Sequence, residues 1–385
     1  MTDAAAKLPA QSGVASRTGS DAVGQRAGDP AAGYRRASVA PATWTAYAGD
    51  WERFTAWCTR TGECSLPAAP QTVTRYLAEA ADLLDETGRP VYAPATLARW
   101  GAGINAAHRA AGHPAPGSHP LVAATLRGIR ATRAQPQRRA KPLRLTQLEA
   151  ILAAGEWRYW PGAVIGRRDK ALLLLAFAGA LRRSELANLH LGDVEIDGDG
   201  VVTVRIRRSK TDQDATGHTI AYPRGSARTT CTACAVLDWA AMLDADQAAG
   251  RPGILRALTT ARTKRPTSHA CSDPDIAAVW QRLREAQPDA PLLRPVTKAA
   301  TITPKPISGA TVDAVIRKRL TTIGIDPTGY SGHSPRAGFI TDALTAGATA
   351  HEVMRQTRHT SPATLEIYAR HYTPLEANAV TKIGL

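Results

Sequence analysis

The chain is short of acidic residues, long apolar runs and cysteine, and each shortage excludes something. Only 33 acidic residues face 48 Lys and Arg among 385 residues, a formal charge of +15. A surplus of that size favours a polyanionic partner and argues against a cationic one. The longest nearly uninterrupted apolar run, Ala171 to Leu181, is too short to cross a bilayer, and the first residues lack a signal peptide's apolar core. The expectation is a soluble, cytoplasmic protein that meets nucleic acid and no membrane. Five cysteines (Cys58, Cys64, Cys231, Cys234, Cys271) form an odd, sparse set that excludes a disulfide framework. Cys231-Thr-Ala-Cys234 has the spacing of half a zinc site, but no second CxxC or suitably spaced CxxH accompanies it. The pair opens an apolar helical pattern (Val236, Leu237, Trp239, Ala240), which reads as two small buried residues on a helix and no metal site.

What is present organises into two domains, as a chain of this length and an apolar fraction of 44% allow. Residues 1–36 are rich in Ala, Gly, Ser and Asp and nearly devoid of large apolar groups. Such a segment cannot bury enough surface to offset its ordering entropy, so it reads as a disordered tail. Residues 37–136 carry four helical stripes: Trp44 to Cys58 after a Thr43 cap, Val73 to Ala80, Leu97 to Ala111, and Leu121 to Ile129. The last also presents Arg127, Arg130 and Arg133 as a basic stripe, a candidate contact to phosphates. Residues 137–144 read as a linker, basic and bounded by Pro136 and Pro142, in which Arg139 and Lys141 join the candidate DNA-binding residues. Residues 145–385 form the second domain. Helical patterns cover Leu145 to Ala154 and Asp169 to Leu191. The alternating Val201–Ile206 and Thr219–Tyr222 read as a small antiparallel sheet. Further helices are expected over 231–248, 273–286, 308–323, 335–346, 350–357 and 361–370, with 251–272 and 287–306 as irregular surface segments. The fold class is therefore mainly α, a helical domain followed by an α+β domain.

Five basic and imidazole side chains and one tyrosine recur in order: Arg182, Lys210, His333, Arg336, His359 and Tyr368. Attack at a phosphodiester builds negative charge on the non-bridging oxygens, and arginine forks are suited to hold it. Arg182 lies in Gly179-Ala-Leu-Arg-Arg-Ser-Glu-Leu186, between two apolar helices, with Glu185 one turn on to orient it. An ordinary helix-start salt bridge explains that pair equally well. In His333-Ser-Pro-Arg336, Pro335 fits the first helical position and Ser334 the cap, which puts both side chains at a helix N-terminus that favours an anion. Lys210, in the loop after the clearest strand, is placed to protonate a departing 5′-oxygen. Tyr368 is the candidate nucleophile, nine residues after His359, and Tyr372 is its rival. A phenol with a pKa of about 10 needs a base and nearby positive charge to attack.

These residues resemble the tyrosine recombinase (phage integrase) family from about residue 40 to the end, and within it the Cre type. The likeness is carried by Tyr330-Ser-Gly-His-Ser-Pro-Arg-Ala-Gly338, Ala346-Gly-Ala-Thr-Ala-His-Glu-Val-Met354, Leu126-Arg-Gly-Ile-Arg130 and Arg139-Ala-Lys141. The resemblance implies a SAM-like core-binding domain, a catalytic domain, and catalytic roles for Arg182, Glu185, Lys210, His333, Arg336, His359 and Tyr368. It implies two transesterifications through a 3′-phosphotyrosyl ester and a Holliday junction, with no metal, nucleotide or other cofactor. It also implies homotetramers on double-stranded DNA recombination sites. One departure stands at the fifth position, where many relatives carry Gly-His or Gly-Trp and this chain has Arg358-His359. The apolar tail (Leu375, Ala377, Val380, Ile383, Leu385) is equally able to dock on a neighbour or fold back. Two other readings share the residues: a type IB topoisomerase-like enzyme, and a catalytically silent DNA-binding regulator.

Overall fold

The computed structural model describes residues 34, 38–133, 139–155, 159–207, 217–264, 269–359, 361–363 and 365. The chain divides into two compact units, Met1–Gln137 and Arg138–Leu385. It is mainly helical with one small antiparallel sheet. None of the described helices is long and apolar enough to cross a membrane.

Among the described residues, the first unit is built on four α-helices: α1 (Pro41–Thr61), α2 (Pro70–Asp82), α3 (Pro94–Ala110) and α4 (Pro120–Arg133). Each begins on a proline, whose fixed φ suits the first turn and whose missing N–H costs nothing there. Pro41 therefore starts α1 ahead of Thr43, and Ala40 rather than Thr43 stands at the cap. The core of this unit is built around aromatic rings in mutual contact. Phe54 meets Tyr76 at 5.2 Å between ring centroids, and Tyr76 stacks on Trp100 at 5.5 Å. Around them Val73, Leu77, Leu97 and Ile104 are wholly buried.

The second unit has a larger core, mostly aliphatic, with Trp239 and Trp280 fully buried in it. Its centre is α6 (Gly162–Ala178), preceded by α5 (Leu145–Ala154). The run Ala171–Leu175 is buried on every face, as a helix packed on several sides requires. After a short break come α7 (Arg183–Ala187) and strands β1 (Val194–Ile196), β2 (Val202–Ile206) and β3 (His218–Tyr222) in the order β1-β2-β3. Val204 faces Val194 on one side and Ile220 on the other, so the buried residues of all three strands share a face. Strand β1, three residues long, carried no readable alternation. Next follow α8 (Thr232–Lys264), α9 (Pro274–Ala286), α10 (Gly309–Thr322), α11 (Ser334–Thr345) and α12 (Ala350–Thr357).

The two expected surface segments are corrected. α8 breaks at Ala249 and Gly250 and resumes through 251–264, where Pro252 sits in the new first turn and Ile254 and Leu258 are buried. Residues 287–306 lack a helix or strand but are not surface: Leu292 and Leu293 are wholly buried. Their backbone is satisfied from outside, with Leu292 N–H donating to Leu189 O and Leu292 O accepting from Trp239 Nε1. α5 and α11 are joined end to side, because Asp342 accepts from both Arg144 Nε (2.5 Å) and Leu145 N–H (2.6 Å). A carboxylate at a helix start is doubly favoured, by free N–H groups and by the dipole.

Candidate active site

Three chain breaks build the site. The first follows α6, where Ala180 adopts φ +44°. That left-handed turn is costly for a residue with a Cβ, and it turns Ala180 O towards Arg336, which donates from Nη1 at 2.6 Å. The turn leaves Arg182 at the cap of α7. Glu185 closes back on it, accepting from Arg182 N–H at 2.9 Å and Arg182 Nη1 at 2.7 Å. The salt bridge considered for this pair is present. The other guanidinium N–H groups of Arg182 have no hydrogen-bond partner among the described residues, and 20% of the side chain is exposed.

The second break is the turn before α11. Ser334 begins the helix and His333 caps it, one residue earlier than Pro335 and Ser334 suggested. Ser334 Oγ accepts from Ser331 N–H at 2.9 Å, so it closes the preceding turn rather than the helix. The turn is pinned by Asp313 of α10, which accepts from Gly332 N–H (2.5 Å) and Arg183 Nη1 (2.6 Å). A Cβ at Gly332 would lie 2.8 Å from Arg183 Cδ, so a larger residue here would push the Arg183 side chain aside. The close approach at Gly329 is made by Lys141, whose N–H donates to Gly329 O at 2.9 Å and whose stem packs on that glycine. Gly338, one turn into α11, would place a Cβ on Leu143 O. The linker strand 141–143 is thus laid against the turn that carries His333.

The third break ends α12 at Arg358, with φ +57°. Glycine is preferred at such a cap, and the fifth-position departure is explained by what the side chain does. Arg358 is 8% exposed, and its Nη2 donates to Glu185 Oε2 at 2.8 Å. One carboxylate therefore lies between two guanidinium groups. Burial pushes the Glu185 pKa up, but Arg358 and Arg182 outweigh it and hold the carboxyl below its ordinary value. Burial likewise lowers the Arg358 pKa, against the pull of Glu185. Its Nε and Nη1 are buried with no partner among the described residues.

Arg336 sits at the centre, 1% exposed. Its Nη2 donates to Thr357 O and to His359 Nε2, the latter at 3.1 Å. The tautomer of His359 follows by elimination. Thr357 Oγ1 has one proton, directed to Val353 O at 2.7 Å, so at its 2.8 Å contact with His359 Nδ1 it can only accept. His359 carries its proton on Nδ1 and offers a bare Nε2. Burial, then the charges of Arg336 and Arg182, brings its pKa down to about 4. His333 retains exposed surface, yet desolvation by its dense surroundings lowers its pKa, and Arg336 and Arg182 lower it further. Both imidazoles are neutral at pH 7, able to accept a proton.

The structure thus brings together Arg182, Glu185, His333, Arg336 and His359. Lys210, Tyr368 and Tyr372 lie outside the described residues, as does the apolar tail from Leu375. Leu365, three residues before Tyr368 in the sequence, is buried with Ala337, Ile340 and Val353 of α11 and α12. Sequence reasoning missed Arg183 and Asp313, whose contact pairs residues too far apart in the chain to signal each other. Of the expected DNA contacts, Arg127 and Arg130 are exposed on α4, Arg139 is half-buried and Lys141 exposed. Arg133 is tied to Asp82 at 2.5 Å. As for metal ligands, Cys231 and Cys234 are buried as expected, but His269 and Cys271 stand beside them.

No family model matches the chain. It is 28% identical over 349 residues to an integrase/recombinase XerD homolog of Selenomonas ruminantium, covering 90% of this chain and 86% of that protein. Among solved structures it is similar to a lambda integrase dimer bound to a COC′ core site, with TM-score 0.45 and 16% identity over 83% of this chain and 87% of that one. It is also similar to XerH site-specific recombinase bound to difH substrate, with TM-score 0.43 and 15% identity over 85% of this chain and 76% of that one.

Proposed function

The chain is a member of the tyrosine recombinase family, and on that premise we propose that it is a site-specific DNA recombinase whose nucleophile is Tyr368. The observation that carries the reading is a convergence of cations and neutral imidazoles. Glu185 bridges Arg182 and Arg358, and Arg336 meets His359 at 3.1 Å in the same largely buried place. A phosphodiester is the substrate such a set suits, because its negative charge grows as phosphorus becomes five-coordinate.

In this reading Arg182 and Arg336 hold the non-bridging oxygens and Glu185 keeps Arg182 in register. Neutral His333 accepts the phenolic proton as Tyr368 oxygen bonds to phosphorus. The P–O5′ bond breaks, and Lys210 protonates the departing oxygen. His359 rests with Nε2 against Arg336. When a phosphoryl oxygen draws Arg336 away, that nitrogen can take up a proton and bond the phosphate. The product is a 3′-phosphotyrosyl ester and a 5′-hydroxyl. A partner strand's 5′-hydroxyl reverses the step, so the ester's bond energy is conserved through a Holliday junction. That exchange needs four active sites on two duplexes, hence a homotetramer, and the cytoplasm is where such a protein meets DNA. The Cre-type likeness rests on the motifs at 330–338 and 346–354, while the relative matched along most of the chain is a XerD homolog.

A DNA site nicked just beyond the scissile phosphate tests the reading, because loss of the short fragment traps the covalent ester. The parent should yield a protein–DNA adduct on denaturing gels and Tyr368→Phe none. No adduct from the parent on its own flanking DNA would overturn the proposal. An adduct retained by Tyr368→Phe and lost with Tyr372→Phe would move the nucleophile to Tyr372.

A further inference from the structure

We propose that Cys231, Cys234, His269 and Cys271 form a zinc site that clamps the small sheet to the start of α8. Their four ligand atoms lie within 4.8 Å of one another. The separations are 4.0 Å for Cys231 Sγ to Cys271 Sγ, 3.7 Å for Cys234 Sγ to Cys271 Sγ, and 3.5 Å for Cys234 Sγ to His269 Nδ1. A tetrahedron with Zn–S of about 2.3 Å and Zn–N of about 2.0–2.1 Å has edges of about 3.8 Å between sulfurs and about 3.5 Å from sulfur to nitrogen. All three separations fall within a few tenths of an ångström of those edges. A disulfide needs sulfurs about 2.05 Å apart, so none of these pairs is bonded. Three cysteines and a histidine are a closed, soft donor set, the kind that takes zinc as a structural ion with no open position.

The surroundings are those of a clamp. Cys231 stands just before α8 and Cys234 lies in its first turn, where free N–H groups favour thiolates. His269 and Cys271 arrive on a short 3-10 turn, Ala270–Ser272, after the second half of α8. A Cβ at Gly200, in the β1–β2 turn, would come within 2.8 Å of Cys271 Sγ. One at Gly225, after β3, would come within 2.8 Å of the Cys231 Cα. An ion here therefore ties the head of α8 to the turn at 270–272, and the β1–β2 turn and the exit from β3 pack against its ligands. An ordinary core has no use for an imidazole facing a thiol. The three cysteines are buried and His269 is half-buried, which a coordinated ion explains. The position is separate from the arginine cluster, and the sheet it fixes is the one whose β2–β3 loop contains Lys210.

The test is metal content. The untagged full-length protein, purified without chelator, should contain about one zinc per chain by elemental analysis. Cys271→Ser and Cys234→Ser should bring that to background, His269→Cys should keep it, and the Cys58→Ser, Cys64→Ser double variant should leave it unchanged. In case a serine variant fails to fold, the parent itself is decisive. Stripped with a mercurial and chelator and refilled with cobalt(II), it should show the intense visible and near-ultraviolet bands of tetrahedral thiolate coordination. A parent without zinc that gives no such bands overturns the site, as do bands that survive in Cys271→Ser. A disulfide among Cys231, Cys234 and Cys271 in freshly isolated protein overturns it too. DNA cleavage enters none of these readouts, so the site stands or falls apart from the recombinase reading.

Discussion

The second unit holds two polar clusters built on opposite logic. Around Arg336, guanidinium groups and neutral imidazoles converge. Arg358 keeps two buried N–H groups without a partner among the described residues, and a single carboxylate serves two guanidinium groups. Around Cys271, electron-pair donors converge. Burying like groups together is unfavourable unless something of opposite character completes them. On the two proposals above, an anion completes the first cluster and a cation the second. The difference also has a temporal side. A structural cation stays bound, whereas a phosphate arrives and leaves, so the arginine cluster has to persist without it. Glu185 and the carbonyls of Ala180 and Thr357 do that holding.

The comparison breaks most sharply at Arg336. Arg336→Lys keeps the charge but cannot reach Ala180 O, Thr357 O and His359 together, and it loses the planar fork. Covalent adduct formation on the nicked site should fall by about 10²–10³-fold, the usual loss for one preorganised donor. Binding to uncleaved site DNA should change far less. Single-turnover adduct kinetics beside a gel-shift titration separate the two. An adduct rate equal to the parent's would mean that Arg336 serves the fold and not the phosphate.

How legible each cluster was follows from how its residues are spread along the chain. His333 and Arg336 are three apart on one helix start, and Arg182 and Glu185 on another, so spacing offered each pair as a candidate and the order of the full set singled them out. The cysteine site announced only its first half. His269 lies 35 residues after Cys234 and Cys271 lies 37 after it, and no local period joins them. Only the return of the chain after α8 does so. The same reason hid residues 251–264, where Arg251, Arg256, Arg262 and Lys264 suggested a solvated segment while Ile254 and Leu258 were quietly one turn apart. Arg358 was visible as a departure, but its meaning was not. A cation at a left-handed cap makes sense only once Glu185 is seen within reach.

A smaller effect comes from the neutral histidines. His359 has an ordinary pKa of 6.5 and is held down to about 4 by burial and by Arg336 and Arg182. Its folded value is depressed, so the unfolded chain binds the proton first. This contribution is complete above pH 6.5 and is lost as pH falls towards 4. Between pH 7.5 and 5 it should remove about 1–2 kcal/mol, after discounting for solvent screening at a partly exposed ring. His333 shifts in the same direction. Urea unfolding of the parent and of His359→Gln at both pH values checks this. The parent should lose more stability on acidification than the variant, and equal losses would remove His359 from the buried cationic set.

The smallest effect sits outside the second unit and tests whether exposed cations behave differently from buried ones. Arg127 and Arg130 project from α4 into solvent, in contrast to Arg133, which is paired with Asp82. A guanidinium that meets DNA only at the backbone releases condensed counterions and reads no sequence. Arg127→Ala or Arg130→Ala should therefore weaken binding to specific and random DNA alike, and lower the slope of log K against log salt by about 0.9 for each lost phosphate contact. The adduct rate at saturating DNA should stay at the parent's level, because neither residue belongs to the cluster around Arg336. Arg133→Ala should leave the salt slope nearly unchanged, since its charge is already engaged. A change of base preference in Arg127→Ala would instead place that side chain against base edges in a groove, and the stripe would belong to recognition rather than to grip.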